Sequence, residues 1–225
     1  TNVTYLKETL NNISVSLSDI NYILVTHTHI DHINALKDIV KKYQPFICIS
    51  EKMYHEISYF HSYPNIIIYN NKVIIDNIQI NVFNTSHDTS DSYGFIIDDN
   101  STSLVYITDT GYLNSKIFPQ ITNKNYYIFE SNHDVEMLIN GKYPKWLQRR
   151  ILSDKGHLSN DRAGFYLSKV IGDQTKKIVL AHLSEENNCA EIALKTVSEK
   201  LFENETPFTN ICCAQQFEIV EVVND

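Results

Sequence analysis

Four side chains that bind divalent metals fall within six positions early in the chain: His27, His29, Asp31 and His32. An apolar run at 22–25 leads directly into them. Side chains alternate along extended backbone, so His27 and His29 would share one side, and the other two could fold back from the following turn. Imidazole nitrogens and carboxylate oxygens are good ligands for Zn²⁺, Mn²⁺ or Fe²⁺. Because burying so many polar groups without partners is costly, the motif predicts a metal site.

Three further candidate ligands each follow a short apolar, strand-like run: His87, Asp109 and His182. Each of them alone would be an ordinary solvated loop residue. Their recurrence at the carboxyl ends of apolar runs is the informative feature, because the ends of neighbouring strands can meet at one edge of a sheet. The sequence therefore predicts that these residues join the first group around metal.

Apolar periodicity predicts the elements that would position these residues. Predicted helices lie at 4–20, 36–43, 52–60, 133–140, 145–152, 159–171 and 189–203. Predicted strands lie at 22–25, 46–49, 66–69, 73–75, 78–83, 93–97, 104–107, 126–129, 178–180 and 217–222. The strands form two clusters with helices after each, which predicts an α+β fold with an αββα sandwich in one domain, 1–225.

Composition and charge restrict the class of protein. Hydrophobic residues make up 43% of the 225 residues, enough for a sizeable core. There is no run of 18 apolar residues, which argues against a membrane partner. The four cysteines match neither a zinc knuckle nor a redox motif, and we expect a cytoplasmic protein. The net charge of −8 should repel nucleic acid at long range, so an anionic substrate needs a local positive site. No obligate protein partner is indicated.

Several motifs together resemble one known family. In chain order, THTHIDH, SHD, TDTG and LAHLS resemble the metallo-β-lactamase superfamily of binuclear hydrolases over nearly the whole chain. The segments NHDVEML, GHLSN and AHLSEENN are more specific, and they resemble the YycJ/WalJ-like branch of that superfamily. That branch is related to PhnP-type phosphodiesterases and to tRNase Z, and it is linked to DNA 5′-exonuclease activity.

The resemblance implies two divalent metal ions (Zn, Mn or Fe) and assigns seven ligands. One ion would be held by His27, His29 and His87, the other by Asp31, His32 and His182, and Asp109 would bridge the two. A hydroxide shared by the ions would be the nucleophile. Asp31 is therefore predicted both as a metal ligand and as a catalytic residue.

The resemblance also implies the four-layer αββα sandwich of the metallo-β-lactamase fold. Members of the family begin with a strand–turn segment rich in Gly and Ser before the first helix. This sequence opens at Thr1, beyond that segment. We therefore expect the fold without its first N-terminal strands.

A second catalytic residue is predicted at His157 in GHLSN, because leaving-group protonation needs an acid and related phosphodiesterases place a histidine beside the metals. Asn160 is predicted to bind substrate, and a helix cap is its alternative role. Glu130, Asn132 and His133 open the NHDVEML segment. They could hold a ligand histidine, and Asn132 could instead cap the following helix.

Substrate binding is also predicted for a dense basic stretch that contains Lys142, Lys145, Arg149, Arg150 and Lys155. A solvated helix face is the alternative interpretation. The stretch runs directly into the GHLSN motif, which favours contact with phosphates, with Arg149 and Arg150 as the named residues. Tyr143 and Trp146 among these charges could stack on bases or belong to the core.

The predicted function is a binuclear metal-dependent phosphodiester hydrolase, a DNA exonuclease that acts at the 5′ end. The alternative enzyme is a small-molecule or cyclic-phosphate phosphodiesterase, or a thioesterase-type hydrolase of the same fold. The non-enzyme alternative is a metal-stabilised binding module that has lost catalysis. All seven predicted ligands are retained, which favours an enzyme.

Overall fold

The computed structural model describes residues 2–222. These residues divide into two compact units. The first unit contains the residues up to Val73 together with Thr89–Tyr93, and the second contains Ile74–Asp88 and the residues from Gly94 onward. The prediction of a single domain stays a prediction. Within the described residues, no helix is both long and apolar enough to cross a membrane.

The first unit is built on a small parallel sheet. Its elements are α1 (Val3–Asn12), β1 (Tyr22–Leu24), α2 (Ile30–Ile33), α3 (Leu36–Tyr43), β2 (Phe46–Ile49), α4 (Glu51–Glu56) and β3 (Ile66–Ile68). The strand order is β1-β2-β3, and both pairings are parallel. Ile23, Ile47 and Ile66 lie opposite one another across the three strands. Helices connect the parallel strands, as such pairing requires.

Helix α3 shows how the sequence forms this unit. Leu36, Ile39 and Val40 recur at helical spacing and are buried. The helix ends where Gln44 adopts a left-handed conformation (φ 56°), and Pro45 follows. The buried side chains of α3, α4 and the strands form one cluster: Val25, Leu36, Val40, Ile47, Ile49, Met53, Ile57 and Phe60. This cluster holds the carboxyl end of β1, from which the histidine motif continues.

The second unit is built on most of a seven-stranded sheet. The strands are β4 (Lys72–Ile75), β5 (Ile78–Asn84), β6 (Tyr93–Asp98), β7 (Ser103–Ile107), β8 (Tyr126–Glu130), β9 (Lys177–Ala181) and β10 (Ile211–Cys213), and both β4 and β6 contain a boundary between the units. The order is β10-β9-β8-β7-β6-β5-β4. Strands β7, β8, β9 and β10 are parallel, and β6 is antiparallel to β7. The helices are α5 (Phe118–Ile121), α6 (Val135–Asn140), α7 (Lys145–Leu152), α8 (Asn160–Val170) and α9 (Ala190–Glu203).

Helices α8 and α9 pack against one face of this sheet. Val105, Tyr127 and Ile178 lie opposite one another on neighbouring strands, so their side chains share that face. They are fully buried in one cluster with Leu167 of α8 and Val197 of α9. Burying an aliphatic side chain of this size contributes about 1.5–3 kcal/mol. The cluster therefore fixes the central parallel strands, whose carboxyl ends carry the candidate site.

The first helix and the final strand differ from the sequence predictions. Helix α1 ends at Asn12, whereas the periodicity predicted a helix over 4–20. Ser14 is left-handed (φ 58°), and Ser16 caps a separate 3₁₀ turn together with Asp19, so local side-chain hydrogen bonds end the helix.

The predicted strand at 217–222 is absent from the described residues. Strand β10, at Ile211–Cys213, takes the place beside β9 instead. Alternating side chains cannot form a strand without a neighbouring strand to pair with. Phe217, at the start of the predicted segment, is 72% exposed.

Candidate metal centre

Three parallel neighbouring strands bring three site residues to one edge of the seven-stranded sheet. Asp109 lies two residues beyond β7, Glu130 ends β8, and His182 directly follows β9. Because β7, β8 and β9 are adjacent and parallel, their carboxyl ends meet at the same edge. Both Asp109 (φ 57°) and His182 (φ 60°) adopt the left-handed conformation, which is uncommon for residues other than glycine. Such backbone strain clusters at functional sites.

One buried carboxylate holds two histidines at this edge. Oε1 of Glu130 lies 2.8 Å from Nδ1 of His157 and 2.8 Å from Nδ1 of His182. Oε2 accepts a hydrogen bond from the backbone N–H of Thr110 at 2.8 Å and another from Leu158 at 3.4 Å. Burial would raise the pKa of Glu130, but the hydrogen bonds from the two histidines outweigh it and hold the pKa below its usual value. Glu130 is thus an ionised acceptor, so both Nδ1 atoms donate and each Nε2 atom is left for another role.

Asp109 lies close to the Nε2 atoms of two predicted ligands. Its Oδ1 is 3.5 Å from Nε2 of His182 and 3.8 Å from Nε2 of His87. The Nδ1 atom of His87 lies 3.2 Å from the carbonyl oxygen of Gly156, which directs Nε2 of His87 toward Asp109. Burial lowers the pKa of His87, and the charge of Asp109 opposes that effect. A neutral imidazole is the form that binds metal.

The residues of the second unit fit a divalent cation. Two ligand atoms that bind one Zn²⁺ at about 2.0–2.2 Å each lie roughly 3–4 Å apart, which matches the spacing of Asp109 from His87 and from His182. Asp109, Glu130, His157 and His182 each offer a ligand atom, and these four atoms lie within 4.8 Å of one another. Because Glu130 is already occupied by two histidines, it supports the ligands from outside the centre. The donor set of nitrogen and oxygen atoms suits Zn²⁺, Mn²⁺ or Fe²⁺.

The histidine motif forms its own cluster in the first unit. The ring centroid of His27 lies 4.8 Å from that of His29 and 4.1 Å from that of His32. Nδ1 of His27 is 3.1 Å from the hydroxyl of Thr26, which leaves Nε2 as its ligand atom. Asp31 lies in the first turn of α2, and its Oδ2 is 3.5 Å from Nε2 of His32. The rings of His29 and His32 are therefore close to that of His27, and Asp31 lies beside His32; their role as metal ligands stays a prediction.

A network of buried asparagines connects the three branch-specific segments. The side chains of Asn160 and Asn188 exchange hydrogen bonds at 3.0 Å, and Asn160 also accepts one from the hydroxyl of Ser131 at 2.6 Å. Asn132 donates to the carbonyl oxygen of His182 at 2.8 Å. Buried side-chain amides with satisfied partners fix one arrangement of the backbone. The network thus positions the loops that carry both histidines on Glu130.

Two helix caps differ from the alternatives that the sequence offered. Asp134 caps α6 by accepting from the backbone N–H of Met137, so Asn132 is not the cap. Ser159 caps α8, so Asn160 is not the cap. Asn160 is also fully buried. Substrate binding by Asn160 stays a prediction, and its burial favours a structural role.

The basic stretch presents two different faces on α7. Arg150 forms an ion pair with Asp88 through Nε and lines a cavity that also reaches His157. Arg149, the next residue along the chain, is exposed and does not line that cavity. Trp146 is 67% exposed, which excludes a core role for it. The pairing of Arg150 with Asp88 was not predicted, although Asp88 directly follows the predicted ligand His87 in the sequence.

The chain matches a protein-family model and curated relatives. The model of the beta-lactamase superfamily domain matches residues 6–183. The chain is 40% identical over 197 residues to the exodeoxyribonuclease YycJ of Bacillus anthracis, covering 84% of this chain and 74% of the relative. It is 36% identical over 192 residues to the exodeoxyribonuclease WalJ of Streptococcus pneumoniae serotype 2 (strain D39), covering 81% of this chain and 71% of the relative.

A solved structure supports the fold. The metallo-beta-lactamase fold protein YhfI from Bacillus subtilis superposes with a TM-score of 0.67 at 17% identity, covering 92% of this chain and 80% of that chain. The predicted fold class is thereby confirmed, and the histidine–aspartate clusters together with the family indicate divalent-metal binding. The chain belongs to the beta-lactamase superfamily, in the branch that includes the exodeoxyribonucleases YycJ and WalJ.

Proposed function

We propose that this chain is a metal-dependent phosphodiester hydrolase that removes nucleotides from the 5′ end of DNA. The observation that carries the hydrolase assignment is the arrangement of His157 and His182 on one Glu130 oxygen, with Asp109 beside them. It combines a candidate proton donor with candidate metal ligands in one place. DNA is proposed as the substrate because the relatives YycJ and WalJ are exodeoxyribonucleases.

We propose two divalent ions, Zn, Mn or Fe, held by the seven ligands that the sequence motifs indicate. These ligands are His27, His29, Asp31, His32, His87, Asp109 and His182. When bound, such ions act as Lewis acids on the phosphate oxygens and supply an activated water at neutral pH. The ligand spacing within each unit supports this proposal.

His157 would protonate the leaving oxygen through Nε2. Its Nδ1–H is held by Glu130 at 2.8 Å, so the ring is fixed and Nε2 can carry the transferable proton. A neighbouring carboxylate stabilises the imidazolium that precedes transfer, as in other acid–base pairs that contain histidine. The side chain of His157 is 20% exposed and lines the cavity beside α7, which gives a substrate access to it.

Helix α7 would contact the DNA backbone. Arg149 and Trp146 are exposed on this helix, and Arg150 and Lys155 line the adjoining cavity. Because the whole chain has a net charge of −8, a local group of cations is what could attract phosphates. The exposed indole offers a face on which a base can stack.

A small-molecule or cyclic-phosphate diesterase is the second candidate. The cavity that reaches His157 and His182 has a volume of about 400 Å³, near the lower end for small-molecule sites. A substrate that fits this cavity would not need to contact the exposed face of α7. A thioesterase-type hydrolase of the same fold stays an alternative without an observation that favours it.

The decisive experiment compares three phosphodiesters on metal-loaded protein: bis(p-nitrophenyl) phosphate, 5′-labelled DNA and cyclic nucleotides. A DNA exonuclease should shorten the labelled DNA from its end and should turn over the cyclic phosphates far more slowly. Metal binding without cleavage of any diester would instead support the non-enzymatic binding module.

The double variant Arg149→Ala/Arg150→Ala tests the role of α7. We expect it to lose affinity for DNA and to retain most of its activity on the small ester, because the small ester has no flanking phosphates that the two arginines could bind. Equal losses on both substrates would contradict a DNA-contacting role.

We also propose a cytoplasmic location and a single functional domain. Cys48, Cys189, Cys212 and Cys213 are all free thiols, which fits a reducing compartment.

A further inference from the structure

The cavity beside His157 has features of a binding site for one nucleotide. The residues that line it include Asp88, Tyr143, Arg150, Lys155, Glu185 and Glu186. They include an aromatic ring, two cations, and the histidines of the candidate centre. A volume of about 400 Å³ accommodates a single nucleotide, whereas an oligonucleotide would have to extend outside it.

Arg150 is the group best placed in this cavity to bind a phosphate. Its Nε atom contacts Oδ2 of Asp88, which anchors the side chain. The contact that Arg150 makes with Asp88 is through Nε, and its two Nη atoms carry the other four N–H donors. The guanidinium edge formed by these atoms suits a bidentate contact with phosphate oxygens. The side chain is half exposed, so a ligand can reach it.

Asp88 connects this arginine to the candidate metal centre. Its Oδ1 lies 3.6 Å from Nε2 of His87, while its Oδ2 contacts Arg150. A phosphate bound at the Nη atoms would therefore lie one carboxylate away from a predicted ligand. A phosphate at this position would lie next to the phosphodiester that is cleaved. It would therefore correspond to the neighbouring phosphate along the DNA strand.

We propose that the cavity binds the terminal nucleotide of the substrate strand, with its terminal phosphate on the Nη atoms of Arg150 and its base against Tyr143. This inference rests on the proposed function, because it specifies that the part of the DNA substrate bound in the cavity is a phosphorylated strand end. Glu185 and Glu186 also line the cavity. Their charges oppose additional phosphate groups, so the site selects a monophosphate over a di- or triphosphate end.

Calorimetric titration of the whole metal-loaded chain with deoxythymidine 5′-monophosphate tests the inference. Arg150→Ala should weaken binding about tenfold. This loss is at the lower end of the range for hydrogen bonds to a charged group, because the Arg150 side chain is half exposed. Lys195→Ala is the control, since it removes one positive charge from an exposed position on α9 that does not line the cavity. Its affinity should stay within about twofold of the wild type, because an exposed charge contributes little. Thymidine, which lacks the phosphate, should bind the wild type and Arg150→Ala alike.

Asp88→Asn separates phosphate binding from a purely structural ion pair. The asparagine oxygen can still accept a hydrogen bond from Nε and anchor Arg150, whereas the negative charge beside the phosphate is removed. If Arg150 binds phosphate, the affinity should therefore stay unchanged or increase. If Asp88→Asn weakens binding as much as Arg150→Ala does, the pair only maintains local structure and the inference is wrong. Unchanged affinity in Arg150→Ala, or an equal loss in Lys195→Ala, also overturns it.

Cleavage of 5′-labelled DNA by the same wild-type preparation keeps this inference separate from the proposed function. Nucleotide binding that depends on Arg150, without cleavage of DNA, would overturn the exonuclease proposal alone. Cleavage of DNA with nucleotide binding that does not depend on Arg150 would overturn this inference alone.

Discussion

Replacing Glu130 by Gln should weaken metal binding while leaving the protein folded. Glu130 is fully buried, and its carboxylate accepts from two imidazole Nδ1–H groups on Oε1 and from two backbone N–H groups on Oε2. A glutamine has one acceptor oxygen and one amide donor group. If its oxygen serves His157 and His182, its NH₂ faces the N–H of Thr110. The substituted side chain therefore cannot satisfy both sides of the site.

The magnitude follows from these contacts. Hydrogen bonds to a charged group contribute about 1.5–3 kcal/mol and neutral ones about 0.5–1.5 kcal/mol, so two weakened histidine contacts lose about 2–3 kcal/mol. The donor facing the N–H of Thr110 adds about 1–3 kcal/mol. Relief from burying a charge offsets part of this loss. We expect a decrease of about 3 kcal/mol in the free energy of unfolding of the metal-free protein, and a roughly 10–100-fold loss of metal affinity.

Two measurements on the same variant check this expectation. Urea denaturation of chelator-treated protein gives the free energy of unfolding, and competition with a chromophoric chelator gives the metal affinity. Glu136→Gln, an identical substitution on the exposed first turn of α6, is the control and should change neither value. A folded Glu130→Gln protein with wild-type metal affinity would refute the argument that Glu130 orients the ligand His182.

Three further outcomes follow from the structure. His157→Ala should slow DNA cleavage by about 10²–10⁴-fold but slow bis(p-nitrophenyl) phosphate hydrolysis much less, because that leaving group departs without a proton; equal losses, at unchanged metal content, would exclude His157 as the acid. Asn160→Ala should lower the free energy of unfolding by about 2–3 kcal/mol, because it removes the buried acceptor of the Ser131 hydroxyl and a buried partner of Asn188. An increase in KM without loss of stability would instead support a substrate-binding role. Burial lowers the pKa of His133 to about 4, so between about pH 6.5 and pH 4 the unfolded chain binds a proton that the folded chain does not. The stability present above about pH 6.5 should therefore be lost as the pH falls toward 4. His133→Gln should remove about 2–4 kcal/mol of that pH dependence in urea denaturation of chelator-treated protein, and an unchanged pH profile would contradict it.

The local motif and the strand ends were readable from the sequence because both depend on short-range rules. The spacing of His27, His29 and His32 in extended and turning backbone brings their rings together without help from distant residues. Apolar runs also indicated where β7 and β9 end, and hence where Asp109 and His182 lie. The boundaries of α1 were less predictable, because a left-handed Ser14 and the cap at Ser16 end a helix whose apolar periodicity continues.

The sequence by itself determined the chemical identity of the candidate centre: its histidines and aspartates, their order along the chain, and the family to which they belong. Only the tertiary structure decided how the second unit uses its polar residues. The parallel pairing of β8 with β9 brings Glu130 to His182, and Asn160, which follows the cap at Ser159, is buried in the amide network. The tertiary structure also showed that Arg150 lines the cavity and Arg149 does not, a difference that the sequence could not indicate for two adjacent arginines. Contacts between residues 28 to 62 positions apart depend on strand order and helix rotation, which no local pattern encodes.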